Sequence, residues 1–507
     1  MGKNVDRFLS LKKTSEFKRL GKIFYTSLSA YLYDTGTGKV IKLDTNCQKL
    51  LEALFDENVS LQEFEYILIS TENLTEITQF FEAEHLLCNP PVTGFITTRA
   101  QITEENFRCS QLIIELTGNC NLRCKYCIYN DYNEGNRDFN TNNIDFETAK
   151  KAIDYVYDHR DPNHLAITFY GGEPLINFDV MRQCIDYSLE KMKDVELSFS
   201  FTTNLTLMTE EIAEYLAKVP RLSILLSMDG PEEIHDLARV KRNKQGSFQD
   251  AFTGLQILAE AVKKYNNTHL GFNAVLMPPY TAERFNKIND FFENLDFLPK
   301  NTSVRATYPS LGTVPQTYYN DLRNKGIDIT GEGISWVAWA QGKGGDSNFI
   351  GNSQNIYTRV LETALTRIHT RPLYDRPMDF YFHNGCCFPG QRRLYVCTDG
   401  LYKVCERIGN APSIGNVNTG IDAEAISKYY LKQYEEKSLD DCSKCWAINL
   451  CSICYAQCYD EQGINMEEKR KYCVGTRKRS VEWLQYYHEL METRPEMITE
   501  ISKIDLV

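Results

Sequence analysis

Short apolar runs alternate with amphipathic stretches over the middle of the chain, from about residue 111 to residue 306. Each run has the composition of a buried strand, and each intervening stretch has apolar residues at helical spacing. Such alternation favours parallel strands joined by right-handed crossovers. We therefore predict an α/β fold, a barrel or partial barrel with its site at the carboxyl ends of the strands. The predicted strands are 111–116, 165–170, 196–203, 222–229, 270–277 and 302–306, and the predicted helices are 145–159, 178–192, 209–218, 248–264 and 282–294.

The pattern before this core is different. Residues 23–43 are predicted to form two strands around a glycine-containing turn at Thr35–Lys39. Helical stretches follow, and one of them opens with Ser60 and Glu63, the residue pair of a capping box. A hairpin followed by about three helices indicates a winged-helix-like module, although a generic α+β domain fits the same pattern.

The pattern changes again after the core. Residues 307–380 are irregular and rich in Gly, Asn and Thr, with one predicted helix at 353–369, and a charged helix is predicted at about 475–492. These changes divide the chain into five predicted parts. They are a winged-helix-like module at 1–100, the βα core at 101–310, a bridging region at 311–380, a cysteine-rich domain at 381–480 and a C-terminal helix and tail at 481–507.

Composition excludes some classes of function. The chain has 42% hydrophobic and 24% charged residues, as globular proteins do. Its formal net charge of -12 argues against a nucleic-acid partner, because phosphate binding requires a cationic surface. Neither an apolar run long enough for a membrane span nor a signal peptide is found, so we expect no membrane partner and a cytoplasmic location.

The 17 cysteines are clustered. Ten fall between Cys386 and Cys473, and three lie in CNLRCKYC, residues 120–127. In a reducing cytoplasm, such clusters indicate metal or iron–sulfur ligands and not disulfides.

The first cluster, Cys120, Cys124 and Cys127, directly follows the first predicted strand with the spacing CxxxCxxC. Three thiolates can ligate three irons of a [4Fe–4S] cluster and leave the fourth iron open to a substrate. A structural zinc ion would need a fourth ligand, and none lies nearby in the sequence. One βα unit later, the GGEP segment at 171–174 leaves a strand, where its backbone could accept an ammonium group. Taken alone, GGEP also fits an ordinary strand-to-helix turn.

Together, CxxxCxxC with Tyr126 before its third cysteine, and GGEP in the second βα loop, resemble the signature of radical S-adenosylmethionine (SAM) enzymes. The resemblance covers about 110–305 and implies a six-stranded partial (β/α) barrel. It implies that the three cysteines hold a [4Fe–4S] cluster and that SAM chelates the open iron. Cleavage of SAM would give a 5′-deoxyadenosyl radical that abstracts hydrogen from the substrate. The SAM-binding residues it implies are Tyr126, Gly171, Gly172, Glu173, Pro174, Thr203, Asn204, Ser227, Asp229 and Arg239. For Arg239, a surface helix charge is the alternative.

The cysteine-rich segment resembles the SPASM domain of radical SAM peptide maturases. The segment has more cysteines than one zinc ribbon needs as ligands. The resemblance implies two auxiliary [4Fe–4S] clusters. The spacing departs from the family pattern at Cys454, which fits either cluster, and Cys386 and Cys397 are left over. We expect Cys397 to be a plain core residue in a strand. The implied ligands are Cys387, Cys405 and Cys458 for the cluster nearer SAM, and Cys442, Cys445, Cys451 and Cys473 for the farther one.

The N-terminal module resembles the precursor-recognition element of ribosomal peptide maturases, which binds a leader peptide as an added strand. Together the resemblances imply a radical SAM/SPASM maturase of the ranthipeptide or sactipeptide type. It would crosslink a precursor peptide through a thioether, C–C or C–O bond, with flavodoxin or ferredoxin as electron donor. Sulfatase maturation through formylglycine, peptide epimerisation and a non-catalytic zinc-binding scaffold are the alternatives. No residue is predicted as acid or base.

Overall fold

The structure is a computed structural model that describes residues 2–14, 17–99, 102–103, 105–130, 138–161, 164–265, 267–310, 312–327 and 355–501. The first part is a three-stranded antiparallel sheet covered by helices, with Leu and Phe side chains in its core. The strands β1 (Gly21–Tyr25), β2 (Ala30–Asp34) and β3 (Val40–Leu43) pair in that order. The helices are α1 (Gly2–Thr14), α2 (Phe17–Leu20), α3 (Thr45–Phe55), α4 (Leu61–Ser70) and α5 (Leu74–Ala83).

The predicted hairpin is confirmed for β2 and β3, but the segment predicted as its first strand contains two strands. Thr26 donates its N–H to the carbonyl of Ser29 at 2.9 Å, and Ser29 donates its N–H to Thr26 Oγ1 at 3.0 Å. These bonds close a turn between β1 and β2. The sequence prediction missed it because short hydroxyl side chains form such turns locally without interrupting the apolar pattern. The predicted capping box of Ser60 and Glu63 is present.

Six parallel strands follow the two-residue strand β4 (Gly94–Phe95) and pair with one another in sequence order. They confirm the predicted alternation of strand and helix. The strands are β5 (Gln111–Thr117), β6 (His164–Gly171), β7 (Glu196–Thr203), β8 (Leu222–Ser227), β9 (Thr268–Val275) and β10 (Ser303–Thr307). The connecting helices are α6 (Phe146–Asp158), α7 (Phe178–Lys191), α8 (Glu210–Leu216), α9 (Glu232–His235), α10 (Phe248–Tyr265) and α11 (Ala282–Glu293). The helix α12 (Gln316–Asn324) comes after β10.

Parallel pairing brings the carboxyl ends of these strands to one edge of the sheet. Thr117 pairs with Gly171 between β5 and β6, and Thr203 pairs with Leu226 between β7 and β8. Side chains alternate between the buried core and the other face, as in the pattern of β7. The loops that leave this edge are therefore neighbours in space, although they lie far apart in sequence.

The same sheet continues into the cysteine-rich part and reaches ten strands. The strand β11 (Phe380–Tyr381) pairs with β4 outside this sheet. The strand β12 (Leu394–Val396) pairs in parallel with β5, so the cysteine-rich part is joined directly to the barrel. Antiparallel strands then extend the edge, and a small hairpin follows. These are β13 (Leu401–Lys403), β14 (Gly415–Asn416) and β15 (Gly420–Ile421) in the edge, and β16 (Tyr459–Asp460) and β17 (Gly463–Ile464) in the hairpin.

The C-terminal helix, Met466–Thr493, begins earlier than the predicted 475. Its start is fixed by Asn465, whose side chain accepts the N–H groups of Glu467 and Glu468 at 3.1 and 3.2 Å. The helix runs across the predicted boundary at residue 480. The helix predicted at 353–369 is found at Ile356–His369, whereas residues 328–354 of the predicted bridge lie outside the described residues. Within the described ranges, no helix has the length and apolar character needed to cross a bilayer.

The N-terminal sheet packs on this C-terminal helix. The His488 ring lies 5.1 Å from the ring of Phe24 and 5.0 Å from that of Tyr31. One turn later, the Glu492 carboxylate accepts hydrogen bonds from Thr26 Oγ1 at 2.6 Å and Tyr31 Oη at 2.8 Å. Burial raises the pKa of Glu492, but the hydrogen bonds from the sheet outweigh it and lower the pKa to about 2.

We expect Glu492→Gln to lower the free energy of unfolding by about 1–2 kcal/mol at pH 7, because the amide loses charge-assisted hydrogen bonds. Since the pKa falls from 4.5, this stabilisation is complete at pH 7 and is lost as the pH falls from 4.5 towards 2. Urea unfolding followed by circular dichroism measures the loss. Glu482→Gln, on the same helix, is the control, and an equal loss in it would contradict the assignment.

Candidate functional site

A cavity of about 390 Å³ opens at the carboxyl ends of the parallel strands. Nearly all residues predicted to bind SAM or its cluster line this cavity. The lining includes Cys120, Cys124, Tyr126, Cys127, Gly171, Gly172, Glu173, Pro174, Thr203, Asn204, Ser227 and Arg239. Asp229 is the exception, since it lies behind the wall and contacts the cavity through Tyr126 and Arg239.

Several lining residues were not predicted from the sequence. Asn273 comes from β9, and Tyr308 and Ser310 follow β10. Glu406 and Arg407 come from the cysteine-rich part, directly after Cys405. Position at a strand end was a usable signal for the first three, but nothing in the sequence signals that the loop after Cys405 borders the barrel.

The loop that carries the three cysteines is held on one side by the GGEP segment. Gly172 donates its N–H to the carbonyl of Thr117 at 2.8 Å, and Glu173 donates its N–H to the carbonyl of Asn119 at 2.9 Å. A Cβ atom on Gly172 would lie 2.0 Å from the Asn119 oxygen, and Gly171 has a φ of +135°. Glycine is therefore required at both positions by close backbone approach and by conformation.

The segment after α9 holds the same loop from the other side. Arg123 donates its N–H to the carbonyl of Val240 at 2.7 Å, and Lys125 donates to that of Ala238 at 2.9 Å. The Arg242 guanidinium adds hydrogen bonds to the Cys120 carbonyl at 2.7 and 3.0 Å. The cysteine loop is thus clamped between two βα loops, which fixes where its thiols lie.

Glu173 is buried and joins two strand ends. Its carboxylate accepts hydrogen bonds from Thr203 Oγ1 at 2.7 Å, the Asn204 N–H at 2.8 Å and the Leu175 N–H at 3.2 Å. Burial raises the pKa of Glu173 to about 7, even though these donors act in the opposite direction. The side chain therefore fixes Thr203 and Asn204 in position, while the GGEP backbone faces the cavity.

Asn204 connects this network to the cysteines. Its Nδ2 donates to Asn121 Oδ1 at 2.9 Å and lies 3.9 Å from the Cys120 sulfur. The Leu122 N–H also donates to that sulfur at 3.4 Å. Burial raises the pKa of Cys120 to about 12, and the nearby Glu173 adds to the effect.

Tyr126, Asp229 and Arg239 form a buried triad, in which Tyr126 and Arg239 line the cavity and Asp229 lies behind them. Tyr126 Oη donates to Asp229 Oδ2 at 2.5 Å, and Arg239 Nε lies 3.1 Å from Asp229 Oδ1. Arg239 also reaches to 3.9 Å from the Cys124 sulfur. Because Arg239 is only 5% exposed, the alternative of a surface helix charge is wrong. The triad sets the position of the Tyr126 ring beside the cysteine loop.

We expect Asp229→Asn to lower the free energy of unfolding by about 3 kcal/mol, because it leaves the Arg239 guanidinium buried without a counter-charge. Chemical unfolding of wild type and variant measures this loss. The control is Asp179→Asn, whose side chain is 82% exposed in its pair with Arg182 and should cost less than about 1 kcal/mol. Equal effects of the two substitutions would show that the buried pair is not the cause.

The remaining clustered thiols form two groups. The second thiol group consists of Cys442, Cys445, Cys451 and Cys473. Burial, with the neighbouring charges of Cys442 and Cys445, raises the pKa of Cys451 to about 12. Burial and the same two cysteines raise the pKa of Cys473. This grouping is the one that the sequence resemblance implies for the farther auxiliary cluster.

The first thiol group consists of Cys386, Cys387, Cys405, Cys454 and Cys458. Burial, then the neighbouring Cys458 and Cys454, raises the pKa of Cys386 well above its ordinary range. Burial raises the pKa of Cys405 to about 12, with Cys454 adding to the effect. Cys454, which fitted either cluster in sequence, has Cys387 as a neighbour, and Cys386, which was left over, has Cys458 and Cys454. Cys458 also has Cys451 and Cys442 as neighbours, so the two groups adjoin at Cys458. Cys405 directly precedes the cavity residues Glu406 and Arg407.

Cys397 was predicted to lie inside a strand, but the strand ends one residue before it. It follows β12 directly and is half-buried, because a turn ends the strand there. Cys397 donates its N–H to the carbonyl of Leu401 at 2.9 Å, and Gly400 has a φ of +81°.

The donor chemistry of the three sets fits iron–sulfur clusters, because each set is entirely sulfur and its thiols lie in buried or half-buried positions. Gly171 and Gly172 also line the cavity beside the first set, where a ligand has space. Among the described residues, no three His, Cys, Asp or Glu side chains converge on a point that could hold one shared metal ion.

Known proteins were compared with this chain. Residues 114–292 match the radical SAM superfamily. The chain is 29% identical over 190 residues to a cysteine-type anaerobic sulfatase-maturating enzyme of Clostridium novyi, covering 37% of this chain and 49% of that one. It is 29% identical over 249 residues to the radical SAM cyclopropyl synthase TigE of Paramaledivibacter caminithermalis, covering 46% of this chain and 48% of that one.

The fold was also compared with solved structures. Native anSMEcpe with bound AdoMet matches with a TM-score of 0.52 and 21% identity, covering 78% of this chain and 100% of that chain. In sequence, the chain spans about half the length of the curated relatives it matches. Residues 114–292 therefore form a radical SAM domain, related in sequence to those of sulfatase-maturating enzymes and of a cyclopropyl synthase.

Proposed function

We propose that this protein is a radical SAM maturase that crosslinks a ribosomally made precursor peptide. The observation that carries the proposal is the cavity, where three cysteines, the GGEP backbone and four further strand ends meet beside the loop after Cys405. Cys120, Cys124 and Cys127 would hold the SAM-binding [4Fe–4S] cluster. The first and second thiol groups would hold two auxiliary clusters.

The residues around the cavity would bind SAM and fix its orientation. The GGEP backbone would receive its ammonium group, and Tyr126, held by Asp229, would lie against the adenine. Asn204, Ser227 and Arg239 would complete the polar wall. When bound, the cluster and SAM supply a 5′-deoxyadenosyl radical for hydrogen abstraction. The side chains of the cavity wall position the substrate carbon and exclude water from it.

The N-terminal module would bind the leader of the precursor peptide. Its sheet order, β1–β2–β3, leaves β3 at an edge, where a peptide can add as a strand. The structural match covers 100% of the anSMEcpe chain but only 78% of this chain. Part of this protein therefore lies outside the matched fold. The N-terminal sheet and its helices favour a peptide maturase with its own recognition module. A flavodoxin or ferredoxin in the cytoplasm would supply the electron.

Sulfatase maturation is the second candidate, because one of the matched relatives is a sulfatase-maturating enzyme. It differs in substrate and product, since a Ser or Cys side chain is oxidised to formylglycine without a crosslink. Peptide epimerisation would leave the peptide mass unchanged. A zinc-binding scaffold would not cleave SAM.

Anaerobic reconstitution, followed by co-expression with any small open reading frame found next to its gene, tests the proposal. We expect about 12 irons per chain, reductant-dependent SAM cleavage, and a peptide that loses two hydrogens by mass spectrometry. Tandem fragmentation should then show a crosslinked segment that resists sequencing. Formylglycine in the product would support sulfatase maturation instead. An unchanged peptide mass with an inverted stereocentre would support epimerisation. Bound zinc without SAM cleavage would support the scaffold.

A further inference from the structure

Lys469 is a fully buried cation between the two thiol groups. It lies in the first turn of the helix Met466–Thr493, and its exposure is 1%. Its Nζ donates to the Cys442 sulfur at 3.3 Å and to Asn384 Oδ1 at 3.3 Å. The ammonium also lies 4.2 Å from the centre of the Tyr434 ring. Its ammonium group is therefore not exposed to solvent, as the ammonium groups of lysines usually are.

A buried ammonium requires a counter-charge, because its removal from water costs several kcal/mol. The contacts of Lys469 among the described residues are a sulfur, an amide oxygen and an aromatic face, and no carboxylate is among them. Asn384 is neutral, and its oxygen also accepts from Tyr434 Oη at 2.5 Å. A thiolate at Cys442, as in a ligand of a bound cluster, would supply the missing counter-charge.

Lys469 contacts the second thiol group directly. Its hydrogen bond to the Cys442 sulfur goes to a member of that group. Asn384, which accepts the other hydrogen bond from Lys469, directly precedes Gly385 and Cys386 of the first thiol group.

We propose that Lys469 is the charge-compensating residue of the second auxiliary cluster, hydrogen-bonded to its Cys442 ligand and setting its reduction potential. The inference rests on the proposed function for the presence of the cluster, but the role of Lys469 is separate from the substrate and the product. Reduction adds negative charge to a cluster, and a cation with a sulfur hydrogen bond stabilises that form. Removal of the cation should make the potential more negative.

The test uses the full chain with Cys120, Cys124 and Cys127 replaced by alanine, so that only auxiliary clusters report. Lys469→Met and Lys469→Arg are reconstituted in this background, with Lys471→Met as the matched control. Lys471 lies two residues further along the helix, and its side chain is 49% exposed. Iron and sulfide are counted, and the reduction potential of each cluster is measured by a redox titration followed by electron paramagnetic resonance.

We expect Lys469→Met to shift one of two reduction potentials to a more negative value, or to lose that cluster and half of the iron. Lys469→Arg should stay near wild type, and Lys471→Met should equal it. Should Lys469→Met fail to fold, Lys469→Gln takes its place in the same titration. If the methionine or glutamine variant keeps all its iron and the reduction potentials of both auxiliary clusters are unchanged, the inference about Lys469 is wrong. The proposed function would be unaffected by that result. A parent chain without auxiliary clusters would overturn the proposed cofactor set, and this inference with it.

Discussion

Replacement of Cys120, Cys124 and Cys127 together by serine is expected to lower reductant-dependent SAM cleavage by at least about 1,000-fold and to remove about four of 12 irons per chain. Serine keeps the size of the side chain but is a poor ligand for iron. These three thiols lie in one loop, clamped by Gly172 on one side and by the segment around Ala238 on the other. No other cysteine lines the cavity within the described part of the chain. No thiol can therefore take their place.

The measurement is 5′-deoxyadenosine formed with dithionite, together with iron content and the visible spectrum of the cluster. Cys184→Ala is the control, because Cys184 is also a buried thiol of the barrel and lies on α7, away from the cavity lining. It should keep all the iron and the rate of SAM cleavage. Cleavage near the wild-type rate in the triple serine variant would refute the assignment of the first cluster.

The barrel could be predicted from the sequence because its signals are local. Apolar runs and helical periodicity set the strands from Gln111 to Thr307, and the chain order of a parallel barrel follows from their alternation. The cysteine loop and GGEP were found for the same reason, since each is a short segment at a strand end. Parallel pairing alone then placed the two segments side by side.

Cys386 and Cys454 could not be assigned from the sequence, because their neighbours depend on how distant loops dock. Gly385 donates its N–H to the carbonyl of Ile453 at 2.9 Å, and a Cβ atom on Gly385 would lie 2.6 Å from the Ser452 oxygen. This contact brings Cys386 to Cys454. Asp229 was likewise predicted to lie in the cavity wall, but it is buried behind Tyr126. This position depends on side-chain packing, which the spacing of residues in the sequence does not show.

A single methyl group at Gly172 is expected to disable the site without removing any ligand. The added Cβ would lie 2.0 Å from the Asn119 oxygen and 2.9 Å from the Cys120 nitrogen, and both atoms are backbone. Backbone atoms cannot avoid the clash by a rotamer change, as side-chain atoms can. The loop that carries the cysteines must therefore move away from the GGEP segment. We expect Gly172→Ala to lower SAM cleavage by at least about 100-fold, since small displacements of reacting groups are costly.

The auxiliary thiols lie on other segments of the chain, so Gly172→Ala should keep about eight irons per chain while the SAM-binding cluster is lost or misplaced. Gly475→Ala is the matched control, because no atom lies within 4 Å of its Cβ position. It sits within the helix Met466–Thr493, where alanine should stabilise by up to about 1 kcal/mol and leave SAM cleavage unchanged. A Gly172→Ala variant that cleaves SAM within twofold of wild type would mean that the contact between GGEP and the cysteine loop does not position the cluster.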